Sequence, residues 1–253
     1  MAEPPDMTFD YIMSKQFIID VESGKVDINI RLSGRTALMF AIEKLSVGAK
    51  SNNTYKRVKK LIELGSNLFA RDNHFRTAMH YACKAGSVGA LRLILNKVAN
   101  WTNENTKYLY INDSGSGCTP LYYTCERGHR KMTQMLINAG VNIEQRTGPQ
   151  KMPAVYYAAM HGHLRVVKKF PFEMLGKSYP AATSLQSTNT ILCGAVIGNE
   201  LDVVDWLLWT VKVPVHIEEP FQHQPIEVAA ELEEHAMTVG VQIGAADTTG
   251  ADL

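Results

Sequence analysis

One unit recurs along this chain too regularly for an ordinary globular core: turn, short apolar helix, glycine, second helix, extended arm. Its clearest copy runs from Gly117 to Arg146, GCTPLYYTCERGHRKMTQMLINAGVNIEQR. Thr119-Pro120-Leu121 opens it, because proline suits the first helical position, where its missing N–H would lack a partner anyway. The first helix closes at Gly128, since glycine enters the left-handed region most cheaply. His129 starts a second helix with Met132, Met135, Leu136 and Ile137 at helical spacing. Ala139-Gly140 ends that helix, and Val141-Asn142-Ile143 leads out as an arm.

Further copies read AVYYAAMHGHLRVVKKF (154–170), TAMHYACKAGSVGALRLIL (77–95), TALMFAIEK (36–44) with RVKKLIELGSNL (57–68), and TILCGAVIGNELDVVDWLL (190–208). A fainter one is QPIEVAAELEE (224–234). The small residue on the buried side of each first helix is Ala41, Ala82, Thr124, Ala158, Ala195 and Ala229, at intervals of 41, 42, 34, 37 and 34 residues. The short intervals lie near a bare period of about 33 residues, and the longer ones require insertions. A helical pair this small cannot bury its own apolar face, so such units must stack on their neighbours.

These segments resemble the ankyrin repeat, and TPLYYTCERGHRKMTQMLINAGVNI follows that family's pattern almost position for position. The resemblance covers roughly residues 26 to 235. It implies an all-α repeat solenoid of helix–turn–helix–hairpin units with terminal caps. Residues 1–8 read as disordered and 9–30 as an N-terminal capping unit, with one helix over 9–21. About five repeats fill 31–210, with insertions near 45–55, 97–111 and 170–187. Residues 211–253 read as a degenerate C-terminal capping repeat and a frayed acidic tail. The insertions at 45–55 and 97–111 are expected as loops, the second carrying Trp101, Tyr108 and Tyr110 either as contact residues or, preferably, tucked under the solenoid edge. Pro171 and Pro180 forbid a continuous helix through the third. Leu61, Leu93, Leu136, Val167 and Leu207 should form one buried column, and Trp206 and Trp209 should face the core or the last cap.

No apolar run reaches the eighteen or more residues of a membrane span, and the N-terminus MAEPPDMTFDY lacks the basic-then-apolar order of a signal peptide. The expectation is a monomer in the cytoplasm, with the nucleus as the alternative. Four cysteines without a C-x-x-C pair read as reduced thiols. The net charge of +1 hides a basic body, 25 Lys/Arg against 14 Asp/Glu over 1–199, and an acidic end, one Lys against 11 acids over 200–253.

Catalytic signatures are missing: there is no phosphate-binding glycine loop and no H-E-x-x-H. His161-Gly162-His163 invites a metal reading, but His163 and His129 stand where the family commonly carries His after the hinge glycine. His80 likewise resembles the family's Thr-Pro-Leu-His, where Thr and His tie turn to helix. The expectation is no enzyme, no cofactor and no metal.

What the resemblance implies instead is binding of a protein partner on the concave side, formed by hairpin tips and the exposed ends of the first helices. Repeat phase places there Arg31, Arg35, Glu43 and Lys44; Arg71, Asn73, His74, Arg76 and Lys84; Ser116, Glu126 and Arg127; and Arg146, Lys151, Met160 and His161, with Tyr122 or Met160 as an anchor. Nine of the sixteen phased positions are Lys or Arg, which favours an acidic partner for an adaptor, scaffold or masking inhibitor. Reversing Arg76 and Arg127 together is expected to weaken that partner without moving the melting curve. The alternatives are nucleic-acid binding through the same groove, disfavoured because tyrosines and arginines do not interleave on one face, and an enzyme-associated regulatory subunit.

Overall fold

The computed structural model describes residues 8–46, 52–180 and 188–213. The expectations for the first seven residues, for the centres of two insertions and for the C-terminal cap and acidic tail from 214 onward lie outside the described residues.

The chain opens with α1 (Phe9–Ile12) and α2 (Lys15–Glu22) where one helix is expected. Ser14 divides them. Its hydroxyl accepts from the Phe17 amide at 3.2 Å and donates to the Tyr11 carbonyl at 2.7 Å, so it caps a new helix instead of continuing the old one. Ile12 and Phe17 are fully buried, and the Phe9 ring meets Phe40 edge-on at 5.4 Å. This pair covers the open end of the first repeat, as a cap must.

A hairpin follows, β1 (Arg31–Leu32) against β2 (Arg35–Thr36), turned by Ser33 and Gly34 at φ of 51° and 78°. Two successive left-handed residues are what a tight two-residue hairpin turn demands. Helix α3 (Ala37–Ser46) and helix α4 (Asn52–Glu63) complete repeat one. Repeat two is α5 (Ala78–Lys84) and α6 (Val88–Ala99), with an added α7 (Glu104–Ile111); repeat three is α8 (Pro120–Glu126) and α9 (Arg130–Asn138). Strands β3 (Arg146–Thr147) and β4 (Met152–Pro153) lead into α10 (Ala154–Met160), α11 (Leu164–Val167) and α12 (Phe172–Leu175). Repeat five has β5 (Ser178–Pro180), β6 (Thr188–Thr190), α13 (Ile191–Ile197) and α14 (Leu201–Asp205), then a π-helical turn over Trp206–Val211.

First helices stack in one row, α3 on α5, α5 on α8, α8 on α10 and α10 on α13, and second helices run behind them from α4 through α6 and α9 to α11. Among the described residues the strands pair only within their own hairpins. Helix pairs turn at Gly86, Gly128 and Gly162, all at positive φ, and at Asn199 with φ 55°, as the repeat phase requires.

Leu61, Leu136, Val167 and Leu207 are fully buried, but Leu93 is only half-buried. Counting from the cap at Ser87, α6 turns Leu91 and Ile94 inward, one residue away from the expected phase. The expected loop over 97–111 is corrected more strongly. Helix α6 runs on to Ala99, and Asn103 then caps α7 by accepting from the Thr106 amide at 3.0 Å. Trp101 stacks on Phe69 at 5.0 Å and meets buried Tyr110 at 5.3 Å, so the aromatic pair Trp101 and Tyr110 is tucked at the edge while Tyr108 stays exposed. Trp206 packs on the core beside Phe172, whereas Trp209 is 50% exposed, because the wider π-helical turn separates residues three apart.

Candidate functional site

The hairpins of the first two repeats and the first helices of the first three enclose a cleft of about 500 Å³. Its floor is built by local sequence logic. Asp72 opens the second hairpin with an Asx turn, its Oδ1 accepting from the amides of His74 at 2.9 Å and Arg76 at 2.8 Å. Its Oδ2 accepts from Arg76 Nε at 2.9 Å and from the Tyr81 hydroxyl at 2.8 Å, and the Arg76 guanidinium lies over the Tyr81 ring. Burial alone would raise this carboxyl, but the hydrogen bonds from Arg76, Tyr81 and the His74 amide prevail and hold it down at about 2.

Below the cleft, His80 is fully buried on α5. Its Nδ1 accepts from the Thr77 amide at 3.1 Å, which leaves Nε2–H to donate to the carbonyls of Asp113 at 2.9 Å and Cys118 at 3.1 Å in the next repeat. The expected turn-to-helix tie is there, extended across the repeat interface. Burial pushes the imidazole below its ordinary value, consistent with a neutral ring fixed in one tautomer.

Seven of the expected concave-face residues meet in this cleft: Arg35, Glu43, Asn73, His74, Arg76, Lys84 and Arg127. The others do not. Arg71 turns away to both carboxylate oxygens of Asp113, each at 3.0 Å. Tyr122 is corrected as an anchor, since it is only 7% exposed. It stands three residues after Thr119, as His80 does after Thr77, and that position points under the next hairpin, against Gly148 and Tyr157. The Tyr122 hydroxyl donates to Glu126 at 2.9 Å and so occupies that carboxylate. Arg146 Nε donates to the Lys151 carbonyl at 2.5 Å, and exposed Lys151 reaches back over Gly117. Met160 is half-buried and His161 exposed, farther along the row.

The cleft is less basic than its sequence. Arg35 pairs with Glu43 at 2.8 Å and Arg76 with Asp72 at 2.7 Å. Lys84 has no ion pair among the described residues, and Arg127 has only a 3.7 Å approach to Glu126. The Arg76→Glu reversal is therefore corrected too: it would set a carboxylate against the buried Asp72 and unfold the turn, not merely weaken a partner. Sequence reading missed Asp72 and Tyr81. Their signal was Asp four residues ahead of Arg in ARDNHFRT, an Asx-turn spacing that fixes the arginine.

Among the described residues no group of three or more His, Cys, Asp or Glu is placed to hold a metal ion, and no helix is long and apolar enough to cross a membrane. The His161 and His163 rings lie 6.3 Å apart, with His163 Nε2 committed to the Glu126 carbonyl at 3.0 Å.

Comparison with known proteins agrees with the repeat geometry. The family model for ankyrin repeats matches in three copies, over residues 45–147 and 103–173, together just over half the chain. The chain is 32% identical over 96 residues to the transient receptor potential cation channel subfamily A member 1 of Drosophila melanogaster, covering 38% of this chain and 8% of that protein. It is 25% identical over 162 residues to the protein of the same name from Homo sapiens, covering 64% and 13%. With alpha-latrotoxin-Lg1a of Latrodectus geometricus it shares 26% over 116 residues, covering 46% and 8%. The chain thus spans 13% or less of the length of these relatives. From the phased hinges, the Thr77–His80 tie and the family match together, this chain belongs to the ankyrin-repeat family.

Proposed function

We propose that the chain is a non-catalytic interaction module, acting in the cytoplasm as a monomer, that holds an acidic segment of a protein partner on the concave side of repeats one to three. Ankyrin repeats generally mediate protein–protein interaction, which supports the class. The observation that carries the site is the division of labour among its cations. Arg35, Arg71 and Arg76 are spent on Glu43, Asp113 and Asp72, while Lys84 and Arg127 keep their charge facing the cleft. A carboxylate from a partner meets two donors already held on adjacent packed helices, α5 and α8, with the ordering cost partly met beforehand. Phosphate-backbone binding is the weaker reading, because a nucleic acid needs a run of unpaired cations and most of these are paired.

The test is Lys84→Glu with Arg127→Glu in the full chain. Lys84 stands outside the internal pairs and Arg127 makes only an exposed 3.7 Å approach to Glu126, so the melting temperature should stay within about 2 °C, as for surface changes of under about 0.5 kcal/mol. Partners captured by the wild type should be lost by this variant, with slower association and a milder salt dependence than DNA binding shows. Equal capture by both proteins would place the partner elsewhere.

A further inference from the structure

The concave face changes character along its length. Two residues after the buried small side chain of each first helix stand Glu43, Lys84, Glu126, Met160 and Ile197. Glu43, Lys84 and neighbouring Arg127 line one cleft, and successive first helices pack side by side as far as α13, so these residues form one row. The row begins charged and ends apolar. Ile197 is 49% exposed, and Met160 is half-buried against the core. The last two rungs are in direct contact: a Cβ on Gly198, next to Ile197, would lie 1.9 Å from the Met160 carbonyl oxygen. One position further on, where repeats one and three carry Lys44 and Arg127, repeats four and five carry His161 and Gly198.

We infer that this row is a polarised seat for one extended segment of a protein partner, its carboxylates on Lys84 and Arg127 and an apolar side chain on Met160 and Ile197. The inference rests on the concave-face reading above and adds to it a second chemistry and a spacing. Packed helices lie about 10 Å apart, and an extended chain advances about 3.3 Å per residue. One to three rungs therefore separate the acidic and apolar side chains, roughly three to nine residues of extended chain. Arg35 offsets the Glu43 carboxylate, while Glu126 keeps its charge, with the Tyr122 hydroxyl on one oxygen and Arg127 3.7 Å from the other.

The probe is a fluorescein-labelled synthetic peptide with an Asp-Glu pair and a Leu-Leu pair five residues apart, titrated by anisotropy into the full chain. Three control peptides replace the acids by Asn-Gln, replace the leucines by Ser, or set the two pairs side by side. The spaced peptide should bind about tenfold more tightly than each control. Ile197→Ser should weaken the spaced peptide about tenfold and leave the serine peptide unchanged; Lys84→Gln with Arg127→Gln should weaken it and leave the amide peptide unchanged. Equal binding of the four peptides, no coupling between Ile197 and the leucines, or no anisotropy change at millimolar peptide would overturn the inference. So would a lowered melting temperature for Ile197→Ser, which would mean that the chain itself covers Ile197. If the charge-reversal variant loses its partner while Ile197 shows no coupling, only the polarised row falls. If the variant also keeps its partner, the concave-face reading falls with it.

Discussion

Gly128 carries two constraints at one Cα. Its φ of 69° lies where a side chain is penalised, and a Cβ there would sit 2.8 Å from His163 Nδ1. Gly140 has the same strain, φ 82°, but open space around it. Alanine at Gly140 should cost about 1–2 kcal/mol from φ alone, and alanine at Gly128 at least about 1 kcal/mol more from overpacking; equal melting temperatures for the two variants would deny that His163 packs on the hinge. His80 makes a prediction about pH. Its folded imidazole titrates below its ordinary 6.5, so between the folded and unfolded values the unfolded chain binds the extra proton and stability falls as pH drops below about 6.5. His80→Gln should cost about 2–3 kcal/mol at pH 7.5 by leaving the Asp113 and Cys118 carbonyls short of a donor. Its deficit should shrink between pH 6.5 and 5, measured by urea unfolding. Asp72 titrates in a separate window. Its carboxyl, held down at about 2, contributes above its ordinary 3.8 and loses that contribution only as pH falls from there toward 2.

Among the elements, α7 owes its existence to a cap more than to amphipathicity. Asn103 holds the Thr106 amide, Glu104 occupies the first turn where the helix end favours an acid, and Tyr110 and Ile111 are its buried residues. Asn103→Ala should cost about 1 kcal/mol. The loss should show first as faster amide exchange within α7, with α5 and α8 still protected. An unchanged exchange pattern would mean that the Trp101–Phe69–Tyr110 cluster alone holds the helix. The first hairpin follows a similar economy: left-handed Ser33 and Gly34 turn it, and the second hairpin fills the space that a side chain on Gly34 would need. Asn73 Oδ1 would be 2.1 Å from a Cβ on Gly34.

For the whole molecule, contact is nearest-neighbour. Helix α5 touches α3 and α8, and α13 touches α10, so among the described residues the main packing runs from each repeat to the next. Stability in such a stack is close to a sum of repeat and interface contributions. His80→Gln breaks the interface between repeats two and three, and it should raise amide exchange across α5 to α9 while α13 and α14 stay near wild type. Uniform loss along the chain would show a single cooperative unit. The same arrangement lets the concave row differ in chemistry from one end to the other, since each rung answers only to its neighbours.

The sequence by itself determined the architecture, because phased hinges, N-caps and helical spacing are local properties that every repeat states again. Gly86, Gly128, Gly162 and Asn199 are legible for that reason. Buried Ile94 stands seven residues after its cap Ser87, as Leu136 does after His129 and Leu207 after Glu200, so Leu93 lies one residue off the column. The single helix expected over 9–21 fails because Ser14 caps a second one. The site was harder to read. Repeat phase finds which residues end a first helix, but whether a cation there is available depends on a partner distant in sequence: Asp113 for Arg71, forty-two residues on. Burial of Tyr122 was likewise decided by the hairpin of the following repeat. Only stacking brings those groups within reach, so only the tertiary structure could leave Lys84 and Arg127 as the cations facing the cleft.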